Sequence, residues 1–222
     1  MISKTEFAVS KQNVSQQPAE ELTPTKRQGL LFVLSAPSGT GKDSVIQALR
    51  ESDADFYVVA SVTTRAPRPG ESEGNPYHFI SNAAFEEMIA RKELLEYANV
   101  HGNWYGQPLQ PIKDNLRSGR DVLLKIDVQG AETVRQKVSG AIFIFLVPGS
   151  VEELALRLNH RHTETSAEQE RRLADARIEL AKRDQYDYVV ANRQGQLQEA
   201  VRCLRAIMLA EHCRTQPRIV NL

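Results

Sequence analysis

The residues Ala36-Pro37-Ser38-Gly39-Thr40-Gly41-Lys42-Asp43-Ser44 have the types and spacing needed to hold a nucleoside triphosphate such as ATP. Gly39 and Gly41 permit backbone angles that turn successive N–H groups to one concave side, where they meet phosphate oxygens. Lys42 adds a point charge for the outer phosphates, and a helix starting behind the loop turns its positive end toward the same anion. The loop departs twice from the G-x-x-x-x-G-K-S/T pattern. Ala36 stands for the first glycine, and Asp43 for the hydroxyl residue that ordinarily meets magnesium. An ordinary strand-to-helix turn containing a lysine is the competing description. The apolar run Leu30-Leu31-Phe32-Val33-Leu34 before the loop, and Val45, Ile46 and Leu49 after it, favour the phosphate loop.

A second group begins at Ser61-Val62-Thr63-Thr64-Arg65-Ala66-Pro67-Arg68-Pro69-Gly70-Glu71 and continues to Gly74, Tyr77 and Phe79. Arginines beside prolines in an extended segment bury little apolar surface but fork well around a phosphate dianion. Tyr77 and Tyr105 can add phenolic hydrogen bonds to the same oxygens. Ser61, Glu71, Glu96 and Asp127 supply donors and acceptors for a purine edge, and a carboxylate suits guanine, whose N1–H and exocyclic amine both donate. The alternative is that Arg65 and Arg68 pair with Glu71 and Glu73 on a solvated loop, where such pairs contribute little. The residue types alone leave both open.

These residues must be positioned by regular elements. Strands are expected over 30–35, 57–61, 121–126, 141–147 and 188–190, and helices over 44–52, 82–91, 109–118, 131–137, 151–159, 166–182 and 197–212. Several strands are apolar on both faces, as in a parallel sheet covered by helices on each side. The alternation predicts an α/β fold with a doubly wound parallel core. Residues 61–106, rich in Arg, Pro, Gly, Tyr and Glu, read as a small inserted lobe, and 157–172, crowded with Arg, His, Glu and Thr, as a mobile lid.

The chain has 222 residues, enough for one well-buried domain, expected over 29–213. Its 28 basic and 28 acidic residues balance, which argues against a general nucleic-acid or membrane surface. Cys203 and Cys213 form neither a metal pattern nor a disulfide framework, so a reducing compartment is expected. Residues 1–28 are polar, without the features of a secretion signal or transit peptide, and read as a disordered tail; 214–222 read as a short C-terminal tail. A cytoplasmic location follows as the default.

The phosphate loop, Thr63-Thr64-Arg65-x-Pro67-Arg68-x-Gly70-Glu71, Gly74-x-x-Tyr77-x-Phe79, Gly102-Asn103-x-Tyr105-Gly106, Ile126-Asp127-x-Gln129-Gly130 and Arg157-Leu158-x-x-Arg161 together resemble guanylate kinase over about residues 28–212. The resemblance implies a P-loop kinase core and phosphorylation of GMP by ATP with magnesium, giving GDP and ADP. It further implies that Ser61, Glu96 and Asp127 meet guanine, with Glu71 ordering the same lobe. Arg65, Arg68, Tyr77 and Tyr105 would hold the GMP phosphate. Lys42, Arg157, Arg161 and Arg172 would gather round the transferred group, and Asn192 would lie near the ATP base.

Five departures bear on detail. Asp43 stands where the family commonly has a hydroxyl, with Ser44 following as a second oxygen for magnesium. Gln107 replaces a small hydroxyl residue, Lys125 an acid and His162 a glycine, and Arg193-Gln194 replaces an acidic pair. None removes a group that phosphoryl transfer requires. Ribose 1,5-bisphosphate phosphokinase, a relative with Gly-Lys-Asp-Ser in its phosphate loop, is the nearest alternative. The retained Arg65, Arg68, Glu71, Tyr77, Glu96, Tyr105 and Asp127 argue against it. A non-catalytic guanylate-kinase-like binding module would typically lose the ATP-side cations, whereas Lys42, Arg161 and Arg172 remain. The sequence leaves open the oligomeric state and the use of dGMP.

Overall fold

Apolar runs without a polar face need cover on both sides, and the core strands of this protein receive it. The structure, a computed structural model, describes residues 28–222 except 53–54, 69, 101 and 160–165, and also leaves out the side chains of 159 and 166–169. The tail expected at 1–28 therefore lies outside the described residues except for Gln28. So do His160, Arg161 and His162 of the expected lid.

The described chain opens with β1 (Leu31–Ser35), α1 (Lys42–Arg50) and β2 (Phe56–Val58). A second sheet follows, built from β3 (Ser61–Thr63), β4 (Ser72–Glu73), β5 (Pro76–Phe79), β6 (Leu94–Val100) and β7 (Asn103–Pro108), with α2 (Asn82–Ala90) inserted. The first layer resumes with α3 (Leu109–Arg117), β8 (Asp121–Lys125), α4 (Val128–Lys137), β9 (Ile142–Pro148) and α5 (Val151–Asn159). It ends with α6 (Ser166–Leu180), β10 (Tyr188–Asn192) and α7 (Leu197–His212).

The core sheet is wholly parallel in the order β10-β9-β1-β8-β2. Successive residues of β1 feed opposite cores, as the two-residue strand period requires. Phe32 and Leu34 pack with Val45, Ile46 and Leu49 of α1 and with Val201, Leu204 and Met208 of α7. Leu31 and Val33 pack with Ile112 and Leu116 of α3 and with Ala131 and Val134 of α4. Fully burying one such large side chain contributes roughly 1.5–3 kcal/mol. Because all five strands run the same way, their C-terminal ends line one edge, where open α/β sheets place ligands. The phosphate loop, Lys125, Asp127 and Asn192 all leave the sheet there.

The lobe expected at 61–106 forms a mixed sheet in the order β4-β5-β3-β7-β6, and it extends to Pro108. Val62, Phe85 and Leu94 make its small core, with Trp104 stacked on Phe85. The single strand expected at 57–61 is two strands in two sheets. Val59 donates to the Leu123 carbonyl at 3.2 Å, and the chain then leaves the core for β3. Residues 214–222, expected as a tail, lie against the core. Val220 is buried, and Arg218 bonds Glu211 at 3.0 Å and Asp187 at 3.3 Å.

Candidate active site

The phosphate loop is shaped by contacts that exclude side chains at its glycines. Gly39 and Gly41 sit at φ 83° and 87°, in the left-handed region. A Cβ at Gly39 would fall 2.7 Å from Leu158 Cδ2, and one at Gly41 2.7 Å from Asn192 Nδ2. Gly41 caps α1, which starts at Lys42 rather than at the expected residue 44, so the lysine belongs to the first helical turn. Its ammonium turns inward and donates to the Ile126 carbonyl at 2.9 Å. Burial lowers its pKa to about 8 against the opposing carboxylate of Asp127, and the nearby cation of Lys125 lowers it too.

Two expected phosphate-side residues hold the loop itself. Arg157 donates to the carbonyls of Thr40 and Asn192, each at 2.9 Å, and pairs with Glu153 one turn earlier on α5. Asn192 is buried, and its amide donates to the Thr40 carbonyl at 2.8 Å. Both clamp β10 to the loop backbone. Arg172, from α6, donates to Ser38 Oγ at 2.8 Å. Glu179, two helical turns after Arg172, accepts from the Ser38 backbone, and its pKa is raised by burial against the pull of Lys42. Glu179 was not among the expected site residues. The signal for it was its position on the helical face that carries Arg172.

On the lobe, strand pairing gathers the second group. Ser61 lies beside Tyr77, and Thr63 beside Phe79 and Tyr105. Arg65 forms an ion pair with Glu71 at 2.9 Å, and Glu71 also accepts from the Arg68 N–H at 2.7 Å. Part of the solvated-loop alternative thus holds, since Arg65 does pair with Glu71. Glu73, however, pairs with His78 at 2.7 Å and not with Arg68. The Arg65–Glu71 pair is mostly buried, and its guanidinium lies over Tyr77 and Phe79, 5.5 and 5.8 Å from the ring centroids. Tyr77 and Tyr105 meet edge to face at 5.8 Å. Arg65, Tyr77 and Tyr105 therefore present one polar cluster, with the Arg68 side chain exposed at the loop.

Deeper in the cleft, Gln107 donates to Ser61 Oγ at 2.6 Å, and its own carbonyl oxygen is buried without a partner. Asp127 caps α4, accepting from the Gly130 N–H at 2.8 Å, which is why that helix starts at Val128 and not at 131. Glu96 is only 4% exposed. Burial and then the Asp127 carboxylate push its pKa up to about 8, with Lys137 partly opposing. A Cβ on Gly130 would stand 2.9 Å from Glu96 Oε2 and 3.3 Å from Asp127 Oδ1, so the two carboxylates flank this glycine. Ser61, Glu96, Gln107 and Asp127 can thus receive a flat ring carrying adjacent N–H donors. Gly130 stood in the sequence motif, but its place between two acids appears only in the fold.

The phosphate loop and the lobe cluster meet at Lys125. Its ammonium is 2.7 Å from Asp43 Oδ1 and 5.0 Å from the centre of the Tyr77 ring. Asp43 and Ser44 are exposed in the first turn of α1 and offer hard oxygen donors of the kind magnesium takes beside phosphates. No group of three or more His, Cys, Asp or Glu side chains suited to a metal ion occurs among the described residues. No helix among them is long and apolar enough to cross a membrane.

Residues 28–211 match the family model described as guanylate kinase. The chain is 45% identical over 205 residues to "Guanylate kinase 2, chloroplastic/mitochondrial" of Oryza sativa subsp. japonica, covering 92% of this chain and 72% of that protein. It is 45% identical over 192 residues to the guanylate kinase of Bacillus subtilis, covering 86% and 93%. The crystal structure of guanylate kinase from Anaplasma phagocytophilum superposes with a TM-score of 0.69 at 33% identity, covering 87% of this chain and 92% of that one.

Proposed function

The chain belongs to the guanylate kinase family, and from that premise we propose that it passes the γ-phosphoryl group of ATP in line to the phosphate of GMP or dGMP, releasing ADP and GDP or dGDP. The observation that carries the acceptor assignment is the pair of carboxylates, Glu96 and Asp127, flanking Gly130, with Asp127 in electrostatic reach of Lys42. Guanine offers N1–H and an exocyclic amine to the ionised acids, whereas adenine, with an acceptor at N1, matches only the protonated form of Glu96, so discrimination sharpens as pH rises toward about 8. Ser61 and Gln107 complete the ring contacts. Arg65, Arg68, Tyr77 and Tyr105 take the GMP phosphate, with Glu71 holding Arg65 in place.

The acceptor is already an anionic nucleophile and needs no serine or histidine base. Positioning and cations at the equatorial oxygens carry the reaction. Lys42 leaves the Ile126 carbonyl for the outer phosphates, and Arg172 reaches them from α6. Arg157 beside the transferred group and Asn192 near the ATP base also fix the loop backbone. Arg161 belongs to the same proposal but lies outside the described residues. Magnesium bound with ATP, near Asp43 and Ser44, would neutralise phosphate charge at the transferred group. A GMP-binding lobe from residue 61 to the end of β7 at Pro108, a lid over 157–172 and a cytoplasmic location are part of the same proposal.

Incubation with ATP, magnesium and GMP or dGMP, followed by anion-exchange separation, tests the transfer. The expected products are ADP with equimolar GDP or dGDP. ADP without a nucleoside diphosphate partner would mean hydrolysis and would contradict the proposal.

The titrations give a pH prediction with opposite signs for the two substrates. The empty site holds a proton on Glu96 below about pH 8, and guanine binding needs the bare carboxylate, so GMP binding releases that proton. GMP affinity therefore rises with pH and levels off above about 8. Lys42 is charged only below about pH 8 in the empty loop, so ATP affinity falls above that point. Calorimetry between about pH 7 and 9, in buffers of different ionisation heat, reads both trends. A GMP affinity independent of pH would remove Glu96 from the contact.

Gly130→Ala tests the pocket floor. The added methyl stands 2.9 Å from Glu96 Oε2, while alanine suits the helix better than glycine. GMP affinity is expected to fall roughly tenfold, a loss of about 1.4 kcal/mol, while the shift forced on the buried Glu96 offsets the gain in helix propensity, so the melting temperature does not rise. Equal affinities for GMP in the two proteins would place the ring elsewhere.

A further inference from the structure

Asp43 and Lys125 are separate departures in the sequence, and the fold joins them into one ion pair at 2.7 Å across 82 positions of chain. The pair joins the first turn of α1, behind the phosphate loop, to the Tyr77 ring of the lobe. Asp43 belongs to the first turn of α1 behind the phosphate loop, with 81% of its side chain exposed. Lys125 ends β8, and its side chain is only 12% exposed. On its other side the ammonium faces the Tyr77 ring of the lobe at 5.0 Å, and Arg65 lies over that same ring. Lys125 is therefore held by the core through Asp43 and by the lobe through Tyr77.

Resting on the guanylate kinase reading above, we propose that Lys125 is a phosphate ligand of the acceptor nucleotide, paired with Asp43 while the site is empty and transferred to the GMP phosphate when it binds. In-line transfer needs donor and acceptor phosphates within roughly 3–3.5 Å, where their charges repel strongly. A cation between them offsets that repulsion. Without Asp43, Lys125 would confront Lys42 in the empty site, since the two ammonium groups oppose each other. Asp43 is the counter-charge that makes a second lysine tolerable before the phosphates arrive.

A purely structural tie between α1 and β8 is the rival role, and it makes the opposite prediction for Asp43. If the pair were only a tie, neither Asp43→Ser nor Lys125→Met would tighten GMP binding. If Lys125 serves GMP, Asp43→Ser removes its competitor.

The experiment is calorimetric titration of GMP, without ATP, into the wild-type protein and the Lys125→Met, Lys125→Arg and Asp43→Ser variants, with a non-hydrolysable ATP analogue titrated in parallel. Lys125→Met is expected to weaken GMP binding roughly 10- to 100-fold, as for loss of one charged hydrogen bond, and to change analogue binding less than about threefold. Lys125→Arg is expected to recover most of the loss, and Asp43→Ser to tighten GMP binding severalfold. GMP affinity within about twofold of wild type in Lys125→Met, or weakened binding in Asp43→Ser, overturns the proposal. The Asp43→Ser result decides even if Lys125→Met does not fold. Wild-type protein that binds no GMP would overturn the guanylate kinase reading itself, and this role for Lys125 with it.

Discussion

Lys42→Met is expected to lower kcat by about 10³-fold or more, with the folded protein retained. Lys42 belongs to the loop itself, and its ammonium is turned inward before ATP arrives, 2.9 Å from the Ile126 carbonyl and 3.5 Å from that of Ala36. In phosphoryl transfer, charge spreads over the equatorial oxygens of the moving group. A fixed cation stabilises that arrangement more than it does the bound ground state. A 10³-fold loss corresponds to about 4 kcal/mol of transition-state stabilisation. Methionine keeps the length and apolar stem of the side chain and removes only the charge. The folded protein should not suffer, because burial disfavours the ammonium, as its pKa near 8 records. Thermal melting should therefore show a midpoint at or above that of the wild type. Turnover within tenfold of wild type would show that the loop is not the transfer site.

Glu96→Gln is expected to lower kcat/KM for GMP by about 10²-fold while changing ATP-analogue affinity little. The amide turns an N–H donor toward a guanine edge that is itself all donors at N1 and the exocyclic amine. About 3 kcal/mol of matched contact is lost or reversed. The same change should stabilise the empty protein in a pH-dependent way. Glu96 has a folded pKa near 8, above its unfolded value, so its stabilising protonated form is complete below the unfolded pKa and lost as pH rises through about 8. Glutamine does not titrate. The melting temperature of Glu96→Gln should therefore match wild type at about pH 4 or below and exceed it increasingly up to about pH 8. Losses of equal size for GMP and ATP would count against a guanine contact at this position.

The parts of the site legible in the sequence were those set by local chemistry. The glycines and Lys42 announce a phosphate loop by their types and order, and both-sided apolar runs announce the core strands, because each demands its own surroundings. The lobe strands were not legible. Ser72–Glu73 and Pro76–Phe79 are short and partly exposed, so their extended form depends on partners rather than on periodicity. The continuous run at 57–61 hid a change of sheet, since an apolar pattern reports burial and not which neighbour provides it. Long-range pairs were the other gap. Asp43 and Lys125 each stood out alone, but only the pairing of β8 beside β1, with Lys125 next to Leu34, brings them together. The bond from the Asn192 amide to the Thr40 carbonyl, across 152 positions, was likewise beyond the sequence.

The most direct test of the central claim, that a triphosphate loop faces a guanine-selective acceptor pocket, is coupled ADP release with ATP and magnesium. GMP, AMP and ribose 1,5-bisphosphate would be offered as acceptors in parallel. Rapid release with GMP, and release with AMP and with the ribose bisphosphate lower by at least about 10²-fold, is the predicted result. Release with ribose 1,5-bisphosphate alone would contradict it, making the Gly-Lys-Asp-Ser loop a better guide to the substrate than the carboxylates around Gly130.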